Sequence, residues 1–155
     1  MKNSNEETFT RLVNDIEETQ EFANHFSQMI LHELEQTMSL TICLTGTLGA
    51  GKTTFSRFLC QSLGVNADEV SSPTFSLHQH YIGRNNLSIN HFDFYRFDDE
   101  DQVFEVGFEE IVEKPGIHLV EWGEKFTSCL PELFWTLKIH ALGNHQREFI
   151  LETQQ

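Results

Sequence analysis

The amino-acid sequence predicts an α/β fold in which helices flank a mixed central β-sheet. Apolar residues recur at helical spacing in two segments, around Phe26 and around Phe58. Short apolar runs typical of strands alternate with these segments, and four-residue loops join two pairs of runs as in β-hairpins. Helices that alternate with strands, together with two hairpins, indicate a mixed sheet covered by helices.

The length and composition of the chain indicate one folded domain, which we assign to residues 1–155. Hydrophobic residues make up 39% of the sequence, far from the composition of disordered chains. No apolar run approaches the roughly 20 residues of a membrane span, so we expect a cytoplasmic protein that does not contact membranes. The three cysteines lack CxxC spacing, which predicts reduced thiols.

The charge balance disfavours direct binding to nucleic acid. The net charge is −14, from 24 acidic and 10 basic side chains, and the basic residues are scattered singly. Neutralising the phosphates of DNA, RNA or an anionic membrane requires clustered Lys and Arg. The acidic side chains form either a solvated surface or a docking face for a basic partner.

The N-terminal part of the chain predicts a strand and then a long helix. A short strand covers residues 9–13. Asp15 and Glu18 then form the pattern of a capping box. The apolar spacing that follows predicts an amphipathic helix from Ile16 to Glu35.

A second strand and a second helix follow directly. The run SLTICLT is apolar enough to be a strand buried on both faces. Phe55 to Leu63 show helical spacing, and Gly64 is expected to end that helix as a C-cap.

The middle of the chain predicts a β-hairpin. The runs FSLHQHYI and LSINHFDFYRF flank GRNN, and a four-residue loop would pair Ile82 with Leu87. That register places Ser76 opposite Asp93. It also places His78 opposite His91, which leaves a histidine metal site as an alternative to half-exposed hairpin histidines.

The C-terminal part predicts one helix, one strand and a second hairpin. The helix covers Asp101 to Val112, although Gly107 weakens its pattern. The strand is IHLVE, and LFWTLKIHAL pairs with REFILET around the turn GNHQ.

The stretch GTLGAGKT, from Gly46 to Thr53, matches the phosphate-binding pattern GxxxxGK[ST]. It lies between a predicted buried strand and a predicted helix, the context in which this pattern forms a P-loop. The ligand is therefore a nucleotide polyphosphate, and the fold class is P-loop NTPase-like. The alternative is a chance glycine-rich turn that caps a helix.

The residue types of the loop each suit a role toward phosphate. Small residues let consecutive backbone N–H groups converge on phosphate oxygens, and these residues are Gly46, Gly49, Ala50 and Gly51. Lys52 reaches the terminal phosphates, and the Thr53 hydroxyl coordinates Mg²⁺. Thr54 is placed to hydrogen-bond a phosphate from the same turn.

Acidic residues at the ends of buried strands are candidates for the metal site and for catalysis. IHLVE ends in Glu121, and INHFD ends in Asp93. Burying a carboxylate at the end of an apolar strand costs folding free energy unless a bound cation or a hydrogen-bond partner offsets it. We therefore expect at least one of the two acids to face Mg²⁺. We favour Glu121 as the metal ligand, with Asp93 orienting the attacking water or the metal's hydration shell; either acid alone could instead be an ordinary surface residue.

The segment SSPTF, from Ser71 to Phe75, borders Asp93 in the predicted register. Its Ser71, Ser72 and Thr74 hydroxyls lie on a loop that Pro73 stiffens, so it is a candidate switch that senses the γ-phosphate. A plain turn before a strand is the alternative.

The missing motifs favour ATP over GTP. Neither K-x-D nor D-x-x-G, the elements of guanine-specific GTPases, occurs in the sequence. A small P-loop kinase acting on a metabolite is the rival enzyme, but kinases use several arginines in a lid. The arginines here are dispersed, at Arg11, Arg57, Arg84, Arg96 and Arg147. A nucleotide-gated subunit of a larger assembly is the third alternative.

The series GTLGAGKTT, SSPTFSL, HFDFYRF and LVEWGEKF, in this order and spacing, resembles the bacterial TsaE (YjeE) ATPases. The resemblance extends from about Glu17 to Pro131. It implies a small P-loop ATPase that binds ATP or ADP with Mg²⁺. It also implies that the protein is required, with TsaB and TsaD, to make threonylcarbamoyladenosine beside the anticodon of tRNA. Because the chain carries a net charge of −14 and no basic cluster, we expect it to reach tRNA only indirectly, through these partners.

The resemblance also implies roles for single residues. Lys52, Thr53 and Thr54 match the family's phosphate and Mg²⁺ residues, Asp93 its essential aspartate and Glu121 its metal-binding glutamate. Trp122 matches the neighbouring tryptophan, which either packs or contacts the nucleotide or a partner. Thr19 falls where an N-terminal residue of the family approaches the adenine.

Overall fold

The computed structural model describes residues 6–71 and 76–154, and its strands form one seven-stranded mixed sheet. The strands are β1 (Glu6–Val13), β2 (Ser39–Thr45), β3 (His78–Ile82), β4 (Ser88–Asp93), β5 (Gly116–Glu121), β6 (Trp135–Gly143) and β7 (Gln146–Gln154). Their order across the sheet is β1-β7-β6-β2-β5-β4-β3. The central strands β4, β5, β2 and β6 are parallel, while antiparallel pairs extend the sheet at both sides. The predicted mixed sheet is therefore confirmed.

Helices cover both faces of this sheet. They are α1 (Ile16–Leu34), α2 (Lys52–Ser62), α3 (Glu100–Glu105) and α4 (Phe108–Val112), and 3₁₀ turns cover Arg84–Asn86 and Gly123–Cys129. None of the helices in the described ranges is long and apolar enough to cross a membrane.

The start of α1 agrees with the predicted cap only in part. The Asp15 carboxylate accepts a hydrogen bond from the Glu18 backbone N–H at 2.8 Å, as a helix cap requires. The Glu18 carboxylate, however, accepts from the backbone N–H of Asn14 and not from that of Asp15. The helix therefore begins where the sequence predicts, with half of a capping box.

Two hydrophobic clusters lie on opposite faces of the sheet, because successive side chains of a strand alternate between faces. Ile42 and Leu44 of β2 belong to the cluster under α1 and α2, where Phe26 and Phe55 pack with ring centroids 5.7 Å apart. Cys43, between them in sequence, belongs to the cluster under α3 and α4. This two-sided burial explains the continuous apolar run of β2.

The helix predicted from Asp101 to Val112 was wrong as a single element. The chain breaks between α3 and α4 at Gly107, whose φ of 73° lies in the left-handed region that glycine adopts easily. Asp99 and Gln102 form a complete capping box at the start of α3, a signal that the sequence analysis did not use.

The predicted register of the first hairpin was wrong by one residue. Ile82 pairs with Ser88 and not with Leu87, because Asn85 and Asn86 both take positive φ and lengthen the loop to residues 83–87. The backbone N–H of Asp93 consequently donates to the carbonyl of Leu77 and not to that of Ser76.

The corrected register also removes the basis for a histidine metal site. His91 lies opposite Gln79, and His78 lies opposite Phe92, against which its ring stacks. Within residues 6–71 and 76–154, no three His, Cys, Asp or Glu side chains are grouped to hold a metal.

The parallel register of β2, β5 and β4 brings their C-terminal ends to one edge of the sheet. Leu44 of β2 pairs with Glu121 of β5, and Glu121 pairs with Asp93 of β4. The two strand-end acids therefore lie side by side next to the loop that connects β2 to α2.

Candidate nucleotide-binding site

The loop between β2 and α2 has the backbone that a P-loop requires. Gly51 precedes α2 with φ of 110°, a left-handed conformation that L side chains rarely adopt, and α2 begins without a side-chain cap. A Cβ at Gly46 would lie 2.5 Å from the carbonyl oxygen of Ile139 on β6. Glycine is thus needed at Gly51 for conformation and at Gly46 for close approach of two backbones.

Lys52 is the first residue of α2, and its side chain folds back over the loop. Its Nζ donates to the carbonyl oxygens of Gly46 at 2.6 Å and Thr47 at 3.1 Å. Burial lowers the pKa of Lys52 from its ordinary value, and nearby carboxylates, Glu121 first among them, oppose this effect. A buried ammonium that can replace these two carbonyl contacts with phosphate oxygens is suited to bind a nucleotide.

Trp122 turns the chain at the end of β5 and covers Lys52. Its backbone is left-handed, with φ of 61°, which is uncommon for a bulky residue and costs on the order of 1–3 kcal/mol. The Nζ of Lys52 lies 4.1 Å from the centroid of its ring, within the range of a cation–π contact. The strained turn thus places an aromatic face directly against the loop.

Thr53 and Glu121 form a direct contact between α2 and β5. The Thr53 hydroxyl donates to Oε1 of Glu121 at 2.9 Å. Glu121 is 1% exposed, and its Oε2 has no hydrogen-bond partner in the described ranges. A buried carboxylate oxygen without an aligned hydrogen bond requires a physical explanation, and a bound cation is one.

These two residues fit Mg²⁺. A hydroxyl and a carboxylate provide oxygen donors only, the donor type that this hard cation prefers. Mg²⁺ also keeps several waters and is completed by substrate phosphates, so one or two protein ligands are enough.

Asp93 lies beside Glu121 at the end of β4. One carboxylate oxygen accepts from the backbone N–H of Tyr95 at 2.9 Å, which fixes the turn that leaves the strand. Lys125 holds the same turn from the other side, because its Nζ donates to the carbonyls of Tyr95 and Phe97, both at 2.7 Å. The turn after Asp93 is therefore held by the Asp93 carboxylate from within and by Lys125 from a second segment of the chain.

Most of the predicted phosphate and metal residues line one cleft of 320 Å³, together with Asp93 and Trp122; they are Gly49, Gly51, Lys52, Thr53, Thr54 and Glu121. Gly46 and Ala50 of the predicted cradle do not line it. Thr19 does not line this cleft. It borders a neighbouring cavity of 140 Å³ whose walls also include Gly51 and Thr54. The structure thus brings Thr19 to the side of the P-loop helix, next to the main cleft.

The sequence analysis missed Arg147 as a site residue. Its Nε donates to the carbonyl of Ala50 at 2.8 Å, and its side chain lines both the cleft and the neighbouring cavity. No local pattern marked it, since β7 carries it back to the P-loop only through the turn that follows β6. Leu48, at a position where the P-loop pattern accepts any residue, and Tyr95, two residues after Asp93, also line the cleft and were not predicted.

The candidate switch lies largely outside the described residues. This holds for Ser72, Pro73 and Thr74, on which the prediction mainly rested. Ser71 is described, and its backbone is bound to the Tyr81 hydroxyl of β3 through both its N–H and its carbonyl.

The chain is similar to proteins of one family. Residues 13–149 match the family model described as "Threonylcarbamoyl adenosine biosynthesis protein TsaE". A protein of Treponema pallidum named "tRNA threonylcarbamoyladenosine biosynthesis protein TsaE" is 39% identical over 107 residues, which cover 69% of this chain and 77% of that protein. A protein of Haemophilus influenzae with the same name is 33% identical over 126 residues, 81% of this chain and 78% of that protein.

A solved structure has the same fold. The crystal structure of YdiB from Bacillus subtilis superposes with a TM-score of 0.70 and covers 97% of this chain and 88% of its own chain. The sequence identity is 23%, so this likeness concerns the fold.

Proposed function

The chain belongs to the TsaE family, and we propose that it is the ATP-binding and ATP-hydrolysing subunit required for threonylcarbamoyladenosine modification of tRNA beside the anticodon. The observation that carries the ATPase part is the Thr53–Glu121 contact beside Lys52 at the mouth of a P-loop. The pathway part rests on the names of its relatives.

In the proposed binding mode, most contacts to the phosphates come from backbone N–H groups and from Lys52. The N–H groups of the loop hold the phosphates, and Thr54 adds a hydroxyl from the first turn of α2. Lys52 exchanges its carbonyl contacts at Gly46 and Thr47 for the terminal phosphates. Arg147 and Thr19, on the side of the neighbouring cavity, then flank the nucleoside, and Trp122 covers the phosphate end through its contact with Lys52.

The proposed chemistry assigns different roles to the two acids, metal binding to Glu121 and water positioning to Asp93. Thr53 and Glu121 would hold Mg²⁺, which supplies charge neutralisation on the phosphates when bound. Asp93 accepts a hydrogen bond from the attacking water and directs it toward the γ-phosphate, while Lys125 and the N–H of Tyr95 keep the turn of Asp93 in place.

ATP is the proposed nucleotide, since no guanine-recognition element occurs in the sequence. Within the described ranges, the cleft lining includes one arginine, Arg147. A metabolite kinase relies on several arginines over the phosphates, so a subunit that uses ATP for an assembly is the better-supported function. TsaB and TsaD are the proposed partners, and tRNA is reached through them.

The isolated chain is expected to hydrolyse ATP slowly, and TsaB with TsaD is expected to accelerate it. An arginine supplied in trans to a P-loop enzyme can be worth roughly 10³-fold or more in rate. The measurement is steady-state ATPase of the purified chain with and without both partners. An unstimulated rate above about 10 s⁻¹, typical of complete enzymes, would favour the kinase alternative instead.

The isolated chain is expected not to bind tRNA. Its net charge of −14, with no cluster of Lys or Arg in the sequence, repels a polyanion. The measurement is fluorescence anisotropy with labelled tRNA at about 50 mM salt, where phosphate contacts are strong. Tight, salt-sensitive binding by this chain alone would contradict both the charge argument and the indirect role.

A further inference from the structure

His91 is a buried histidine of β4 that the proposed binding mode does not use. It is 1% exposed and lies two residues before Asp93, so both side chains project from the same face of the strand. Its Nε2 lies 3.3 Å from Oε2 of Glu121. The imidazole thus contacts one carboxylate oxygen of the proposed metal ligand, while Thr53 donates to the other, Oε1.

This contact joins two polar groups that have no other partner. Neither ring nitrogen of His91 nor Oε2 of Glu121 makes an aligned hydrogen bond within residues 6–71 and 76–154. A buried polar group without a partner typically costs about 1–3 kcal/mol. An apolar side chain at this position would avoid the part of this cost that the imidazole bears, as the fully buried Ile89 does two residues earlier on the same strand. Stability alone therefore does not account for an imidazole here.

A second buried histidine shows what a structural role looks like in this fold. His118 lies on the adjacent strand β5 and is fully buried. Its Nδ1 accepts from the side-chain amide of Asn90 at 3.3 Å, and its Nε2 donates to the carbonyl of Lys114 at 3.0 Å. Both of its ring nitrogens have hydrogen-bond partners, and neither partner lines the cleft.

We propose that His91 is a positioning residue that holds the Glu121 carboxylate for metal binding, by donating from Nε2 to Oε2. Thr53 on α2 and His91 on β4 then fix the two carboxylate oxygens from different elements, so that the acid needs little reorganisation when Mg²⁺ binds. The proposal rests on the proposed function, in which Glu121 is a Mg²⁺ ligand.

The test compares metal affinity among matched variants. His91→Leu removes both ring nitrogens, His91→Gln keeps a donor near the position of Nε2, and His118→Leu is the control at another buried histidine. Each protein is saturated with ADP, and bound Mn²⁺, a probe for Mg²⁺, is measured by electron paramagnetic resonance. Thermal unfolding of each variant reports its stability separately.

His91→Leu is expected to weaken Mn²⁺ binding about 10-fold or more, the range typical for residues that orient a metal ligand. His91→Gln is expected to recover most of this loss, and His118→Leu to leave Mn²⁺ affinity unchanged although it lowers stability. Equal Mn²⁺ affinity in the parent and His91→Leu, or no recovery in His91→Gln, would overturn the proposal. A parent that binds no Mn²⁺ with ADP would overturn the proposed function as well, so the two failures are distinguishable.

A measurement on the parent protein remains decisive if His91→Leu does not fold. Long-range ¹H–¹⁵N spectra identify which ring nitrogen carries the proton. A proton on Nε2 of His91 supports the proposal. A neutral ring protonated only on Nδ1 would overturn it, because Nε2 could not then donate to Glu121.

Discussion

Lys52→Ala is expected to lose nucleotide binding by at least about 100-fold and to have no measurable ATPase. Charge-assisted hydrogen bonds contribute about 1.5–3 kcal/mol each, and the ammonium of Lys52 supplies more than one of them to the terminal phosphates. The measurement is isothermal titration with ATP and Mg²⁺, beside the hydrolysis rate. GTP titrated in parallel into the parent should bind more weakly.

The control for this variant is Lys114→Ala, which removes an exposed lysine that does not line the cleft. It should bind ATP like the parent. Circular dichroism should show that Lys52→Ala folds, since its contacts to Gly46, Thr47 and Trp122 are local to the loop. Parent-like ATP binding in a folded Lys52→Ala protein would refute the site.

The elements that follow from short-range patterns were predictable from the sequence. The strand β2 and the helix α1 have apolar periods long enough to define them, and their observed bounds, Ser39–Thr45 and Ile16–Leu34, agree closely with the prediction. The P-loop was recognisable because its motif follows a buried strand and precedes a helix, which is the order that a P-loop requires. The strand-end acids Asp93 and Glu121 came together because parallel neighbours share one edge of the sheet.

The errors arose where single backbone angles or long-range placement decide the structure. Asn85 and Asn86, both with positive φ, shifted the hairpin register by one residue. The composition of the loop alone did not indicate that both asparagines would adopt a positive φ. Gly107 divided a helix whose periodicity continues across it. Arg147 belongs to the predicted second hairpin, but it reaches the cleft because β6 of that hairpin pairs with β2, a placement that no spacing within the sequence could indicate. The ligand and catalytic roles assigned to the site residues, those of Thr19 and Trp122 included, stay predictions.

Glu121→Gln and Asp93→Asn are expected to fold and to bind ATP, yet to lose hydrolysis by about 100-fold or more. Removing one preorganised group that acts on the developing charge typically costs about 10²–10³ in rate, while the backbone cradle and Lys52 remain intact. The measurement is the ATPase rate at saturating ATP, beside a binding titration and a circular-dichroism spectrum. Glu110→Gln on the exposed surface of α4 is the control and should hydrolyse ATP like the parent.

The Mg²⁺ dependence of these variants separates the roles of the two acids. Glu121 is bound to Thr53 at the proposed metal site, so Glu121→Gln should need more Mg²⁺ for half-maximal ATP binding. Asp93 is anchored to the turn at Tyr95 and is proposed to direct the attacking water, so Asp93→Asn should bind ATP with the parent's Mg²⁺ dependence and fail only in hydrolysis. A parent-like hydrolysis rate in either variant would remove that residue from the catalytic set. An increased Mg²⁺ requirement in Asp93→Asn, with none in Glu121→Gln, would exchange their assignments.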